Sequence, residues 1–197
     1  MVTIPQVDIP EGTSGPWSVQ RFTITPSTPG LLSLALKGRA LPPGEYTRLV
    51  HKTRGCVMSD TPAEMTDHYS FVRQAKGNVL INGLGIGMVL NAILKNDSPA
   101  SKVEKVTVIE IDQDVIGLVG PHYLRDHRVE IVHADAFDYQ PPKGVRYDAV
   151  WHDIWDTICT DNLDAMAMLH RKYGRRTDWQ GSWCRNECLA SRQRMYG

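Results

Sequence analysis

Asn78-Val79-Leu80-Ile81-Asn82-Gly83-Leu84-Gly85-Ile86-Gly87 is a short apolar run that breaks into three glycines spaced two apart. Ile86, Val89, Leu90, Ile93 and Leu94 then recur at helical spacing, so the glycines fall where a strand turns into a helix. Glycine there lets backbone pass close to a ligand, and the first turn of a helix offers amide groups to it. A tight turn with no ligand satisfies the same residues, and a dinucleotide fingerprint wants its third glycine at position 88, which is Met88. The neighbouring segments decide what the turn is for.

Downstream, Lys105 to Ile111 reads as a second strand, followed by a helix beginning near Asp112 with Val115, Ile116 and Val119 inward. Arg128 to Val132 is a third strand and Tyr147 to His152 a fourth, with a helix from about Asp161 to Tyr173. Strands separated by helix-sized segments predict βαβ units, hence an α/β fold on a parallel sheet with right-handed crossovers. Upstream, residues 1–58 hold more than half of the 12 prolines together with the runs Trp17 to Ile24 and Leu31 to Leu36, which read as short strands between turns. Thr61-Pro62-Ala63-Glu64 reads as a capping box, with Met65, Tyr69 and Val72 on one helical face.

Glu110 closes the second strand, 23 residues after Gly87. From that position a carboxylate can accept both hydroxyl protons of a ribose. Asp112 reads as the cap of the next helix. In His133-Ala134-Asp135-Ala136, after the third strand, Asp135 is placed to accept from an adenine amino group while the next backbone N–H donates to a ring nitrogen. Alone Asp135 would be a turn residue; beside the glycine turn and Glu110 it completes one adenosine site.

The chain has 197 residues, with 22 Lys or Arg against 22 Asp or Glu. Hydrophobic residues make up 42% and charged residues 22%, which excludes wholesale disorder and predicts one domain with a small appendage. Zero net charge argues against nucleic acid as a partner, since phosphate binding normally leaves a basic excess. With no run of 18 apolar residues, and no basic-then-apolar start in Met1 to Gln6, neither a membrane span nor a secretory leader is expected. Four scattered cysteines, Cys56, Cys159, Cys184 and Cys188, fit a reducing, cytoplasmic compartment.

Taken together, Val79 to Gly87, Val108 to Asp112, His133 to Ala136 and Tyr147 to Asp153 resemble the successive motifs of class I S-adenosylmethionine-dependent methyltransferases. Among these the chain is most similar to the spermidine synthase-like proteins, the aminopropyltransferases, over roughly Asn78 to Asp156. The resemblance implies a Rossmann-like core over residues 59–174, between a β-rich appendage at 1–58 and a basic, aromatic tail at 175–197. It implies that Gly83, Gly85 and Gly87 line the methionine and ribose end of the cofactor. Glu110 would hold the ribose hydroxyls and Asp135 with Ala136 would read the adenine, with Leu84, Ile111 and Asp153 completing the cofactor set. Asp153 matches the residue that orients or deprotonates the attacking group, and His152 is a second candidate base. Capping of the following turn would explain Asp153 without a ligand.

Two departures matter. Aminopropyltransferases carry an Asp where this chain has Ile86, which removes a charge that grips the aminopropyl amine. Only 44 residues follow Asp153, too few for a helix and three further strands, so a sheet cut short after its fourth or fifth strand is expected. Base-modifying DNA methyltransferases place a Pro-Pro-aromatic run after the fourth strand, whereas this chain reads Asp153-Ile154-Trp155-Asp156.

Trp151, His152 and Trp155 can wall a substrate or fill a core. The tail, with Arg171, Lys172, Arg175, Arg176, Arg185, Arg192 and Arg194 around Trp179 and Trp183, reads as a solvated helical face with two core anchors. Cys184 and Cys188 with His170 lack a second ligand pair for zinc, so no metal is expected. The resemblance also implies that the segment Val57 to Glu64, with His68 and Tyr69, lies near the mouth of the site, where Asp60, Glu64 or Tyr69 would touch a substrate.

The expected function is therefore methyl transfer from S-adenosylmethionine to a small-molecule acceptor. The alternatives are aminopropyl transfer and a non-catalytic nucleotide-binding or assembly protein of the kind a phage encodes. A shortened sheet leaves an edge to cover, which predicts a homo-oligomer. Formal charge divides as +2 before Gly77, −4 from Gly77 to Asp153 and +2 after, so the acidic third is the one assigned to a sulfonium cation.

Overall fold

The computed structural model describes residues 4–36, 39–96 and 102–196, so the first three residues of the amino-terminal stretch lie outside it. Nine strands form two sheets among the described residues. The first is antiparallel, with β1 (Gly12–Ser14), β2 (Trp17–Ile24), β3 (Gly44–His51) and β4 (Gly55–Ser59) side by side in chain order. The second contains β5 (Gly77–Asn82), β6 (Val103–Glu110), β7 (Val129–His133), β8 (Tyr147–His152) and β9 (Thr177–Ser182) in the order β7-β6-β5-β8-β9, parallel throughout.

This is a Rossmann-like sheet that stops at five strands among the described residues. Chain order reverses at β5, which has β6 on one side and β8 on the other. Crevices open at the carboxyl ends of such strands, because successive crossovers leave toward opposite faces. Val79 to Asn82 are all buried, as expected for a central parallel strand covered on both sides.

Helices α1 (Leu31–Leu36), α2 (Pro62–Asp67), α3 (Tyr69–Gln74), α4 (Met88–Leu94), α5 (Gln113–Tyr123), α6 (Asn162–Tyr173) and α7 (Arg185–Tyr196) complete the chain. On one face, Val79, Ile81, Val106 and Val108 share a single core with Trp17, Val19 and Leu49 of the antiparallel sheet. On the other, Leu80, Ile109 and Val150 pack against Leu169 and Tyr173 of α6. Side-chain bonds add to the docking of the antiparallel sheet: Trp17 Nε1 donates to Asp112 Oδ2 at 2.6 Å, and Ser14 Oγ to Asp114 Oδ1 at 2.7 Å. Asp112 also caps α5 by accepting from the amides of Asp114 and Val115, as its position predicts.

Three sequence expectations need correction. Leu31 to Leu36 is a helix with no buried residue, not a strand. Leucine and alanine favour helix, and no neighbouring strand recruits the segment into a ladder. Second, the tail reading as a helical face misses β9: Thr177 to Ser182 pairs in parallel with β8 before α7 begins. Third, the capping box at Thr61 does not form. The Thr61 hydroxyl lies 3.2 Å from Ser59 Oγ, and Glu64 accepts from the Ser59 amide and hydroxyl at 2.8 and 2.6 Å instead. The helix predicted from there breaks at His68 into α2 and α3.

Candidate active site

Each parallel strand delivers its last residue to the same edge of the sheet, where a cavity of about 280 Å³ opens. Gly83 and Gly85 after β5, Glu110 and Ile111 at the end of β6, Asp135 and Ala136 after β7 and Asp153 after β8 all line it. Seven of the sequence-predicted residues thus meet at one place. Leu84, Gly87 and His152 do not line it.

Gly83 has φ +99°, a region that side-chain-bearing residues rarely adopt, and a Cβ there would overlap the carbonyl oxygen of Asp153. That contact holds the first turn and the end of β8 against each other, and the Asp153 amide adds a 2.8 Å bond to Asn82 O. A Cβ at Gly85 would overlap the Met58 sulfur, to which the Ile86 amide donates at 3.5 Å. The amides expected to be free for a ligand are largely engaged within the protein. Gly83 N donates to Ile109 O and Gly87 N to Leu84 O, both at 2.8 Å, and Leu84 N donates to Glu110 Oε2 at 2.8 Å. Leu84 therefore acts through its backbone, and Gly87 packs under the ring of Tyr123.

Glu110 braces two elements at once. Oε2 holds the glycine turn and Oε1 accepts from the Asp112 amide at 2.9 Å. A carboxylate offers about four lone pairs, and with the Ile111 amide as a third backbone donor about one remains for the cavity. Burial raises its pKa, opposed by those amide bonds. Asp135 closes its own turn by accepting from Phe137 N at 2.7 Å, and Lys172 of α6 clamps the same loop through the carbonyls of Ala136 (3.2 Å) and Phe137 (2.6 Å). Ile111 projects at the mouth with 62% of its surface exposed, an open apolar face beside a polar wall.

Asp153 is the strongly perturbed acid. Its side chain is 7% exposed, and burial, with Glu64, Asp67 and Glu110 nearby, pushes its pKa up to about 8. The neighbouring His152 points the other way, because successive strand residues face opposite sides. It is fully buried, with Nδ1 2.8 Å from Asn82 Nδ2 and Nε2 3.3 Å from Gln180 Oε1, and burial lowers its pKa to about 3. Trp151, Phe71 and Trp179 form a mutually stacked core cluster, while Trp155 lines the cavity.

Of the three residues placed near the mouth, Glu64 lines the cavity. Asp60 is buried and holds the amides of Val7 and Thr47, and neither it nor Tyr69 lines the cavity. Trp17, Arg54, Met58, Asp156 and Trp183 line it without having been singled out for that role. Arg54 reaches Asp156 at 3.2 Å while lying over the Trp17 ring at 4.8 Å, a juxtaposition of three distant segments that no local pattern announces. Among the described residues six lining carboxyls, Glu64, Glu110, Asp112, Asp135, Asp153 and Asp156, accompany one lining basic group, Arg54. Among the described residues no group of three or more potential metal ligands occurs, and no helix is long and apolar enough to cross a membrane.

Solved structures similar to the chain include a DhpI–SAH complex (21% identity over 56% of this chain and 48% of that one, TM-score 0.41). Others are the N-methyltransferase NodS from Bradyrhizobium japonicum WM9 (16%, 60% and 64%, 0.44) and the 23S rRNA methyltransferase ErmE (17%, 58% and 45%, 0.42). The chain thus spans 45% to 64% of the length of these three, and likenesses this distant identify no activity. No curated protein matches it. The family model described as the spermine/spermidine synthase domain matches residues 62–173, from the start of α2 to the end of α6. Since that stretch is more than half of the chain and contains every parallel strand but β9, the chain belongs to the spermine/spermidine synthase domain family.

Proposed function

We propose that the chain binds S-adenosylmethionine in the cavity at the carboxyl edge of the parallel sheet and transfers its methyl group to a small-molecule acceptor. The observation that carries this reading is the convergence of Gly83, Gly85, Glu110, Ile111, Asp135, Ala136 and Asp153 from four strand ends onto one cavity. The donor set fits the cofactor. Glu110 keeps an acceptor site for a ribose hydroxyl, Asp135 and Ala136 supply the acceptor and backbone donor that an adenine edge needs, and the carboxyl-rich wall suits a sulfonium.

The bound cofactor supplies an electrophilic methyl group, and the chain's own residues have three tasks. Glu110 and Asp135 fix the adenosine, which sets the line of approach for displacement. Asp153 faces the cavity and takes the proton of the attacking group, with a proton affinity matched to work near pH 8. The indoles of Trp155 and Trp183 wall the acceptor side and exclude water. Aminopropyl transfer is favoured by the family match but opposed by Ile86, which is fully buried and puts no charge in the cavity. We further propose a homo-oligomer in which a second copy covers an outer edge of the sheet, β7 or β9. A monomer by light scattering contradicts that part.

Calorimetry with S-adenosylmethionine, its demethylated product and its decarboxylated form tests the main reading. The first two are expected to bind more tightly than the third, with binding weakened at least tenfold in Glu110→Ala and Asp135→Ala. Preference for the decarboxylated form would turn the reading to aminopropyl transfer, and no binding of any would overturn both.

A further inference from the structure

Resting on the reading above, we propose that His68 is the positioning residue of Asp153: its neutral imidazole accepts a hydrogen bond from the Asp153 carboxyl once that group has taken the proton of the acceptor. His68 stands at the break between α2 and α3, fully buried, with Nε2 3.8 Å from Asp153 Oδ2. Neither ring nitrogen has a hydrogen-bond partner, and the ring meets Trp151 edge-on at 5.7 Å. A neutral imidazole carries one N–H and one lone pair, and burying such groups unpaired costs about 1–3 kcal/mol each, so a fold that keeps them needs a reason.

The surrounding charges are already committed. Arg39 binds both carboxylate oxygens of Asp67, at 3.3 and 3.0 Å. Glu64 accepts from Ser59, and Glu110 accepts from Leu84 and Asp112. His68 and Asp153 are left facing each other, and burial acts on both in the same sense. It holds the imidazole neutral, with its pKa lowered to about 3, and favours the protonated carboxyl. We assign the ring proton to Nδ1, so that Nε2 turns its lone pair to Asp153: a carboxylate repels that lone pair, and a carboxylic acid donates to it. The gap closes to bonding distance when the proton arrives.

The step balances without any other reagent. The acceptor's X–H bond breaks as an O–H bond forms on Asp153, and the electron pair stays on X, which becomes the nucleophile. His68 stays neutral throughout and makes Asp153 a stronger base by stabilising its acid form. Its place in the break between two helices fixes the direction from which it does so.

The test begins with the protein alone. In the nitrogen NMR spectrum of histidine-labelled protein, the His68 resonance is expected to shift between pH 6 and 9 as Asp153 titrates, and to stay flat in Asp153→Asn. A flat wild-type trace, or the same shift in Asp153→Asn, overturns the proposal whether or not any variant of His68 folds. In turnover, His68→Phe is expected to lose a factor of about 10–100, within what a positioned base supplies, and to lower the apparent pKa of the rate profile. His68→Gln, which keeps an acceptor oxygen, recovers part of both, while cofactor affinity stays within twofold of wild type. Equal profiles for wild type and His68→Phe overturn the proposal. Wild-type protein that binds no cofactor refutes the proposed function, and the NMR trace still decides the pairing.

Discussion

A carboxyl held protonated near neutral pH leaves a mark on stability whose sign is fixed by linkage. Asp153 has its folded pKa raised from 3.8 to about 8, so between those values the folded chain keeps a proton that the unfolded chain releases. Its contribution is complete below about pH 4 and is lost as pH rises toward 8. Asp153→Asn removes that dependence, and its melting temperature is expected to gain on wild type progressively from pH 5 to pH 8.5; an offset constant with pH would contradict the burial of this group. Gly83→Ala is expected to be destabilised by about 1–3 kcal/mol in urea titration, because a left-handed backbone must carry a Cβ that meets the Asp153 carbonyl. Glu110, Asp135 and Asp153 were readable in the sequence because strand ends are local events: an alternating or apolar run stops, and the next polar residue is at the edge. The pairings of His68 and Arg54 were not, since a buried imidazole and a loop arginine have no period, and their partners lie 85 and 102 positions away.

At the scale of elements, the strands that were legible are those whose own side chains demand burial. β5, β6 and β8 each contain a short apolar stretch, Val79 to Ile81, Val106 to Ile109 with Thr107 within it, and Ala149 to Trp151, whereas Thr177-Asp178-Trp179-Gln180-Gly181-Ser182 has little intrinsic preference for a strand. It forms β9 because β8 offers an open ladder and because Gly181 lets the chain cross the rings of Trp151 and Trp179, which a Cβ would overlap. In the amino-terminal sheet only β2 was named from the sequence, and the attachment of the sheet was not readable at all. The Trp17 indole bonded to Asp112 ties β2 to the first turn of α5 and thereby to the rim of the cavity. Trp17→Phe keeps an aromatic ring but drops the donor and part of the indole's buried volume, so a loss of at least about 1–2 kcal/mol in chemical denaturation is expected. Weaker cofactor binding is expected with it, read by calorimetry; unchanged binding would show that this tie does not shape the rim.

For the molecule as a whole, charge is distributed rather than absent: equal totals conceal a cavity lined, among the described residues, by six carboxyls and Arg54. The Arg54–Asp156 pair is substantially exposed, 48% and 35%, and contributes little to stability. Its effect lies in the field at the mouth. Arg54→Ala is expected to leave the melting temperature nearly unchanged while raising the association rate of a cationic cofactor several-fold at low salt, an advantage that fades by about 0.15 M ionic strength as the Debye length falls to about 8 Å. Stopped-flow binding at two salt concentrations measures it, and a rate that is slower or insensitive to salt would argue against the acidic wall as an attractor. The core joining Trp17, Val19 and Leu49 to Val79, Ile81 and Val108 has a practical corollary for anyone who would cut this chain. Fragments beginning near residue 59 lack one wall of the hydrophobic interior that β5 and β6 need, so truncation at that boundary is expected to leave an aggregation-prone remnant, and the intact chain is expected to denature in a single step.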